Sequence, residues 1–246
     1  MKRIIFTIAD ENNMKYAEIM QKSLRKFHKF EDLPLEIIGP EEIKTRAIDP
    51  LFFYRATPIL ASEYFNKGYD QVIKIDADSI ICGDLSPSWE TNLDLSVVFN
   101  SNPRDFKNYP YTIWDIPGSQ YLNCGYIVMN NKRFVEHWRA LCFGPHFPAY
   151  QMKEQDLLNI MCHYGDYTVN LLDMGDSFWG LSTKGYWQNI EVENDKLFRR
   201  PQEGYNKVSK WVKIIHWGGG SGSSMKMNYH TQFSLDVIKW LDKIVI

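Results

Sequence analysis

A chain of 246 residues that is 44% hydrophobic and 15% aromatic can bury a sizeable core, which excludes wholesale disorder. Its formal net charge of -2 gives no basic surplus for holding nucleic acid, so nucleic acid is not expected as a partner. No apolar run reaches the length of a membrane span, and the apolar start stops at Asp10, too short for a secretory signal.

Residues 3–9 read as a first buried strand, followed by a polar helix start at Asp10-Glu11-Asn12-Asn13. Met14, Ala17, Met20, Leu24 and Phe27 recur at spacings of three and four, which predicts an amphipathic helix. Leu35-Glu36-Ile37-Ile38 is a second strand, closed by Gly39-Pro40. A β-α-β opening of this kind predicts a parallel sheet. Asp49-Pro50 and Thr57-Pro58 each resemble a cap followed by a first helical residue, so helical material with a break is expected as far as Phe65. Val72-Ile73-Lys74-Ile75 is a buried strand that runs into Asp76-Ala77-Asp78-Ser79.

Leu95–Phe99 and Tyr121–Met129 are further strands, the second continued by a helix carrying Phe134, Trp138 and Leu141. Residues 153–164 form a helix that begins in acidic residues, and Tyr167–Leu171 a strand. From about 173 to 209 the pattern fades, which predicts long loops with a hairpin. Val212–Ile215 is a last strand, ending at His216-Trp217-Gly218-Gly219-Gly220. A terminal helix with Phe233, Val237, Trp240, Leu241 and Ile244 on one face is expected to pack on the sheet. Only Lys239 and Lys243 would favour a membrane surface. No repeat or linker divides the chain. The four cysteines (Cys82, Cys124, Cys142, Cys162) lack metal-type spacing and read as reduced core residues of a cytoplasmic protein.

Several polar groups fall at strand ends or helix starts, where an α/β sheet gathers its ligands. Asp76 and Asp78, spaced i and i+2 on an extended backbone, would point the same way. Two adjacent carboxylates are hard to keep ionised without a cation, and their oxygens suit Mg²⁺ or Mn²⁺. His216 could complete such a set, and the glycines after it, Gly219 among them, would let backbone approach a phosphate. Thr7-Ile8-Ala9-Asp10-Glu11-Asn12 runs from a strand into a helix N-terminus, which suits an anion or nucleotide or is simply a cap. Asn123-Cys124-Gly125 places a glycine inside a strand, marking a bulge or a close approach. Glu154-Gln155-Asp156 opens a helix, where acidic residues are favoured for their own sake.

In this order the motifs resemble the GT-A-fold glycosyltransferases of family 8. The resemblance implies a single α/β GT-A domain over 1–246, a Rossmann-like, mostly parallel central sheet flanked by helices. Its nucleotide-binding part would be about 1–100 and its acceptor side about 101–246. It implies a metal-dependent, retaining transfer of a hexose, glucose or galactose, from a UDP-sugar to a glycan, lipid or protein hydroxyl. Asp76, Asp78 and His216 would bind Mn²⁺ (or Mg²⁺). Thr7, Ala9, Asp10 and Asn12 would meet the uridine, with Ala77 and Gly125 lining the donor site. Phe53-Tyr54-Arg55 looks like the family's aromatic-aromatic-Arg helix, so Arg55 would hold the donor sugar with Asn123 and Glu154. Gln155, beside Glu154 and Asp156 in the catalytic stretch, would put its amide oxygen under the anomeric carbon. Ser221-Gly222-Ser223 stands where the family commonly has a phosphate-binding lysine, a place Lys226 could take. Two other readings fit parts of the pattern. One is a phosphatase of the haloacid dehalogenase type with Asp76 as nucleophile and Asp173 and Asp176 as its later acidic motif. The other is a nucleotide-sugar binder without catalysis.

Overall fold

The structure, a computed structural model, describes residues 1–29, 33–46, 51–99, 116–117, 120–172, 178–179, 189–200, 210–217, 230 and 233–246. Strand β1 (Arg3–Ile8) leads into helix α1 (Met14–Phe27), whose start is fixed by Asp10: its Oδ1 accepts from the backbone and side-chain nitrogens of Asn13 at 3.0 and 2.8 Å. Strand β2 (Leu35–Ile38) follows and pairs parallel with β1, as the β-α-β pattern predicts. Gly39-Pro40 does more than close β2. Pro40 is the first residue of helix α2 (Pro40–Arg46), with Glu41 and Glu42 in the first turn and Lys44 and Arg46 in the last, each suited to the helix dipole.

Helix α3 (Phe52–Asn66) runs through Pro58 without the break expected at Thr57-Pro58. Proline already holds the helical φ and forfeits one bond, to the carbonyl of Tyr54, a residue on the exposed side of the helix. Asp49-Pro50 lies outside the described residues. Strand β3 (Gln71–Ile75) is buried throughout, and a tight turn joins it to a short strand the periodicity did not predict, β4 (Ser79–Ile81). Helix α4 (Ser86–Trp89), β5 (Leu95–Phe99), β6 (Leu122–Met129), α5 (Lys132–Cys142), α6 (Glu154–Tyr164) and β7 (Val169–Leu172) complete the central part.

The main sheet has the order β2-β1-β3-β6-β5-β7, and every strand but β6 runs the same way. Alternation along β3 divides the core. Val72 faces a layer built with α3, α5 and α6, while Ile73 and Ile75 face α1 and α4. Beyond the sheet come β8 (Phe178–Trp179), β9 (Ile190–Glu193), β10 (Lys196–Arg199), β11 (Lys210–Trp211), β12 (Ile214–His216) and helix α7 (Leu235–Val245). β9 and β10 form the expected hairpin. Its two turn residues, Asn194 (φ 51°) and Asp195 (φ 57°), take the left-handed conformation that matches strand twist in a two-residue loop. α7 buries Val237, Trp240, Leu241 and Ile244 against β9, β10, β12 and Tyr16 of α1, as its apolar face predicts. Among the described residues no helix is long and apolar enough to cross a membrane, and all four cysteines are free thiols, three of them buried.

Candidate active site

The site is assembled where β3 ends. Asp76 leaves the strand with its N–H donating to the carbonyl of Gly125 on β6 at 2.8 Å, and Ala77 and Asp78 form the turn into β4. The two carboxylates therefore converge across a turn rather than along an extended backbone. β4 pairs antiparallel with β12 in the register Ser79↔His216, and the N–H of Trp217 donates to the carbonyl of Asp78 at 3.0 Å. This ribbon delivers the imidazole to the carboxylates. His216 Nε2 lies 3.1 Å from Asp76 Oδ2 and 3.3 Å from Asp78 Oδ1. One ligand atom from each residue falls within a 4.8 Å group. The side chains of Asp76 and Asp78 are 34% and 18% exposed against 2% for His216, so the cluster opens to solvent on its carboxylate side.

Charge is balanced from beneath. Lys74, on the same strand face as Asp76 and almost wholly buried, ion-pairs with Asp76 Oδ1 and donates to the carbonyl of Cys124 at 2.8 Å. Burial opposes ionisation of Asp76, but the Lys74 charge and the His216 hydrogen bond outweigh it and hold the carboxyl well below the usual range. Burial likewise opposes the imidazolium of His216. The charge of Asp78 and hydrogen bonds to both aspartates overcome it and raise the group to about 9.

Glu154 behaves in the opposite sense. Its Oε2 is buried with no hydrogen-bond partner among the described residues, and burial pushes the carboxyl up to about 8. Between its ordinary value of 4.5 and about 8 the folded chain thus holds a proton that the unfolded chain has lost, so stability falls as pH rises through that window. Glu154→Gln is expected to raise the melting temperature at pH 8 and leave it unchanged near pH 4. An equal shift at both values would contradict the assignment.

The β5–β6 register shifts between Val97 and Val98, which pair with Ile127 and Asn123, so Cys124, Gly125 and Tyr126 lie opposite no residue of β5. What approaches Gly125 is the ring of His216. A Cβ at that position would sit 2.5 Å from His216 Nδ1 and 2.7 Å from Asn123 Oδ1. Gly125 N–H donates to Asn123 Oδ1 at 2.7 Å.

Gln155 is buried in the first turn of α6. Its Oε1 accepts from Cys124 N–H at 3.0 Å and from Asn123 Nδ2 at 3.3 Å. A backbone N–H can only donate, so it is the oxygen that faces β6, and both lone pairs are taken. Nε2, on the side of the Tyr121 hydroxyl, has no well-formed hydrogen bond among the described residues. Asn159, one turn on, clamps the same helix to β6 by exchanging bonds with both the N–H and the carbonyl of Leu122 at 2.6 and 3.0 Å. Lys153 (φ 52°, ψ −121°) sits in a glycine-type conformation at the head of α6. It is pinned by its ammonium on the carbonyls of Pro148 and Tyr150 at 2.8 and 2.7 Å.

The other predicted positions divide. Ala9 and Ala77 pack together with Ala17, so the loop after β1 abuts the Asp76–Asp78 turn. Thr7 is buried, and its hydroxyl has no partner among the described residues. Asp10 spends Oδ1 on Asn13, and Asn12 is exposed. Arg55 lies at the end of α5: its Nε donates to the carbonyl of Cys142 at 2.8 Å, with its head between the rings of Phe143 and Phe147. Asp156 accepts from the Tyr121 hydroxyl at 2.6 Å and from Met152 N–H at 2.8 Å, which commits both its oxygens to holding the loop before α6. Gly219, Lys226, Asp173, Asp176 and Ser221-Gly222-Ser223 lie outside the described residues. The clamping roles of Lys74 and Asn159 are not assigned by the sequence analysis. The signals were there: Lys74 stands two residues before Asp76 on one strand face, and Asn159 four after Gln155 on one helix face.

Three solved structures share this architecture. The galactosyltransferase LgtC, in complex with donor and acceptor sugar analogues, is 16% identical with a TM-score of 0.56, covering 99% of this chain and 96% of its own. GlyE of Streptococcus pneumoniae TIGR4, a glycosyltransferase, is 15% identical with a TM-score of 0.55, covering 99% and 63%. Mouse xyloside xylosyltransferase 1 is 12% identical with a TM-score of 0.54, covering 92% and 100%. No curated protein sequence matches the chain. At such identities the likeness is one of fold, the GT-A fold expected from the motifs. The sequence model of glycosyl transferase family 8 matches residues 4–222, nearly the whole chain. On that match, which takes in all three residues of the carboxylate–imidazole cluster, the chain belongs to glycosyl transferase family 8 and is a glycosyltransferase.

Proposed function

We propose that the enzyme transfers a hexose, glucose or galactose, from a UDP-sugar to a hydroxyl of a glycan, lipid or protein, with retention of anomeric configuration. Mn²⁺ or Mg²⁺ would be held by Asp76, Asp78 and His216. The observation that carries this reading is the convergence of two carboxylates and one imidazole nitrogen within 4.8 Å. That donor set fits a borderline-hard divalent cation. In the absence of a cation the imidazolium of His216 and the Lys74 ammonium balance the carboxylates, so loading the cation displaces the His216 proton. When bound, such an ion would act as a Lewis acid toward the leaving diphosphate.

The chain's own residues supply the rest. Residues 1–100 would form the donor half, where Thr7, Ala9, Asp10 and Asn12 stand at the end of β1 to meet the uridine. Ala77 abuts that loop. Arg55, Asn123 and Glu154 would surround the sugar, and residues 101–246 would shape the acceptor side. The Gln155 amide oxygen would stabilise the oxocarbenium-like sugar from below, and an amide is too poor a nucleophile to favour a covalent intermediate. Retention would then come from attack of the acceptor hydroxyl on the face that the diphosphate leaves, its proton passing to the departing phosphate oxygen. A phosphatase reading needs Asp76 free to attack. Here Oδ1 is held by Lys74 and Oδ2 faces His216.

A panel of UDP-, GDP- and TDP-sugars incubated with the protein and Mn²⁺ tests the proposal by chromatography of the released nucleotide. Slow release from one UDP-sugar, lost on adding a chelator, is the expected result and names the donor. Release that survives the chelator overturns the metal assignment. Binding without release from any sugar nucleotide overturns the transfer reading.

A further inference from the structure

We infer that Lys74 is a positioning residue that holds Asp76 and the start of α6 in one register through the Cys124–Gly125 peptide and Asn123. The inference rests on the donor site proposed above. Lys74 is 5% exposed and lies inside a strand that is buried at every residue. Stability alone does not call for a lysine there, because an apolar side chain of similar volume would avoid desolvating a charge. Its ammonium makes two bonds that lead in different directions. One goes to Asp76 Oδ1 and leaves Oδ2 as the oxygen facing His216 at 3.1 Å. The other goes to the Cys124 carbonyl at 2.8 Å, whose peptide group carries the Gly125 N–H that donates to Asn123 Oδ1 at 2.7 Å, and Asn123 Nδ2 donates in turn to Gln155 Oε1 at 3.3 Å. That peptide group is planar and stiff, so a shift of the carbonyl moves the Gly125 N–H and reaches Gln155 through Asn123. Lys74 thus links a cluster on β3 to the helix whose first residues would line the donor sugar.

The test compares the wild type with Lys74→Met. Mn²⁺ affinity is read from the paramagnetic resonance of the free ion, with and without UDP, and kcat from nucleotide release. Removing a positive charge beside a cation site does not weaken the cation, so Lys74→Met is expected to bind Mn²⁺ at least as tightly as wild type. Loss of register is expected to lower kcat by about 10- to 100-fold with little change in KM. A kcat within about twofold of wild type overturns the inference, as does Mn²⁺ binding weakened about tenfold, which would mark a side chain that only props the fold. Should Lys74→Met not fold, Lys74→Arg keeps the charge but cannot place one atom on both acceptors. It is expected to keep wild-type Mn²⁺ affinity and lose turnover, and full turnover overturns the inference. If the wild type itself releases no nucleotide, the transfer reading has failed. Amide hydrogen exchange of the wild type and Lys74→Met then decides, upheld by faster exchange at Gly125 in the variant and overturned by unchanged exchange there.

Discussion

Asp78→Asn is expected to lower nucleotide release by about 10³-fold or more while the protein stays folded, because it removes one ligand of the cation that would neutralise the leaving group. Asp78 is the better of the two aspartates for this experiment. Asp76 is the counter-charge of buried Lys74, so its removal would strand a cation in the interior at a cost of about 3–5 kcal/mol, confusing lost activity with lost structure. The backbone carbonyl of Asp78 accepts from Trp217 N–H, a bond that survives the substitution, and His216 can shed its proton when the carboxylate is lost. Asp78 also supplies the largest charge that keeps His216 protonated, so the imidazole of Asp78→Asn should titrate lower than in wild type. Circular dichroism, Mn²⁺ binding and nucleotide release together check the expectation. Manganese-dependent release at the wild-type rate would remove Asp78 from the site.

Gly125→Ala is expected to be nearly as damaging, by a different route. The added methyl would lie well inside contact distance of His216 and Asn123. Neither neighbour has room to retreat: His216 is held in β12 between β4 and β8, and Asn123 is buried within β6. Overpacking of this kind costs about 3 kcal/mol, which for a chain of this size lowers the melting temperature by roughly 6–12 °C. Any relaxation that spares the fold must turn the imidazole, so Mn²⁺ affinity is expected to fall together with stability. Gly39→Ala is the control, because its Cβ would meet nothing nearer than Met14 Sδ at 3.7 Å. A Gly125→Ala protein with wild-type melting and metal binding would show that the ring is not confined as described.

The long elements were legible because each carries its period plainly. The run Val72–Ile75 reads as a buried strand whatever surrounds it, and α1 and α7 show their faces over several turns. Short elements divided: β2 and β12 could be read, whereas β4, three residues directly after the Asp76–Asp78 turn, could not, and it exists because β12 pairs with it. Pro58 was read locally as a helix start, whereas the packing of α3 against α5 and the sheet carries the helix across it. At the site, the residue types of the metal cluster could be read but not the bonds that hold them. A lysine in a run of isoleucines looks like an interruption until the fold shows Asp76 on its own side of the strand. The orientation of the Gln155 amide depends on Cys124, a contact between a helix and a strand that no local pattern encodes.

The pairing of β4 with β12 has a bearing on how the enzyme comes into being. Ser79 and His216 belong to opposite thirds of the chain, so the ribbon that carries the imidazole to the aspartates closes only after a long stretch has been ordered. The β1–α1–β2 unit and the pairing of β3 with β1 need only the chain up to Ile75 and can form well before that. During synthesis, then, the two carboxylates emerge early beside their own lysine, and the third ligand arrives late. A growing chain would carry a partly built, inactive centre until residues 214–216 dock. Pulsed hydrogen exchange during refolding is expected to protect the amides of β1 and β3 ahead of those of β4 and β12, with chelator-sensitive activity appearing in step with the later pair.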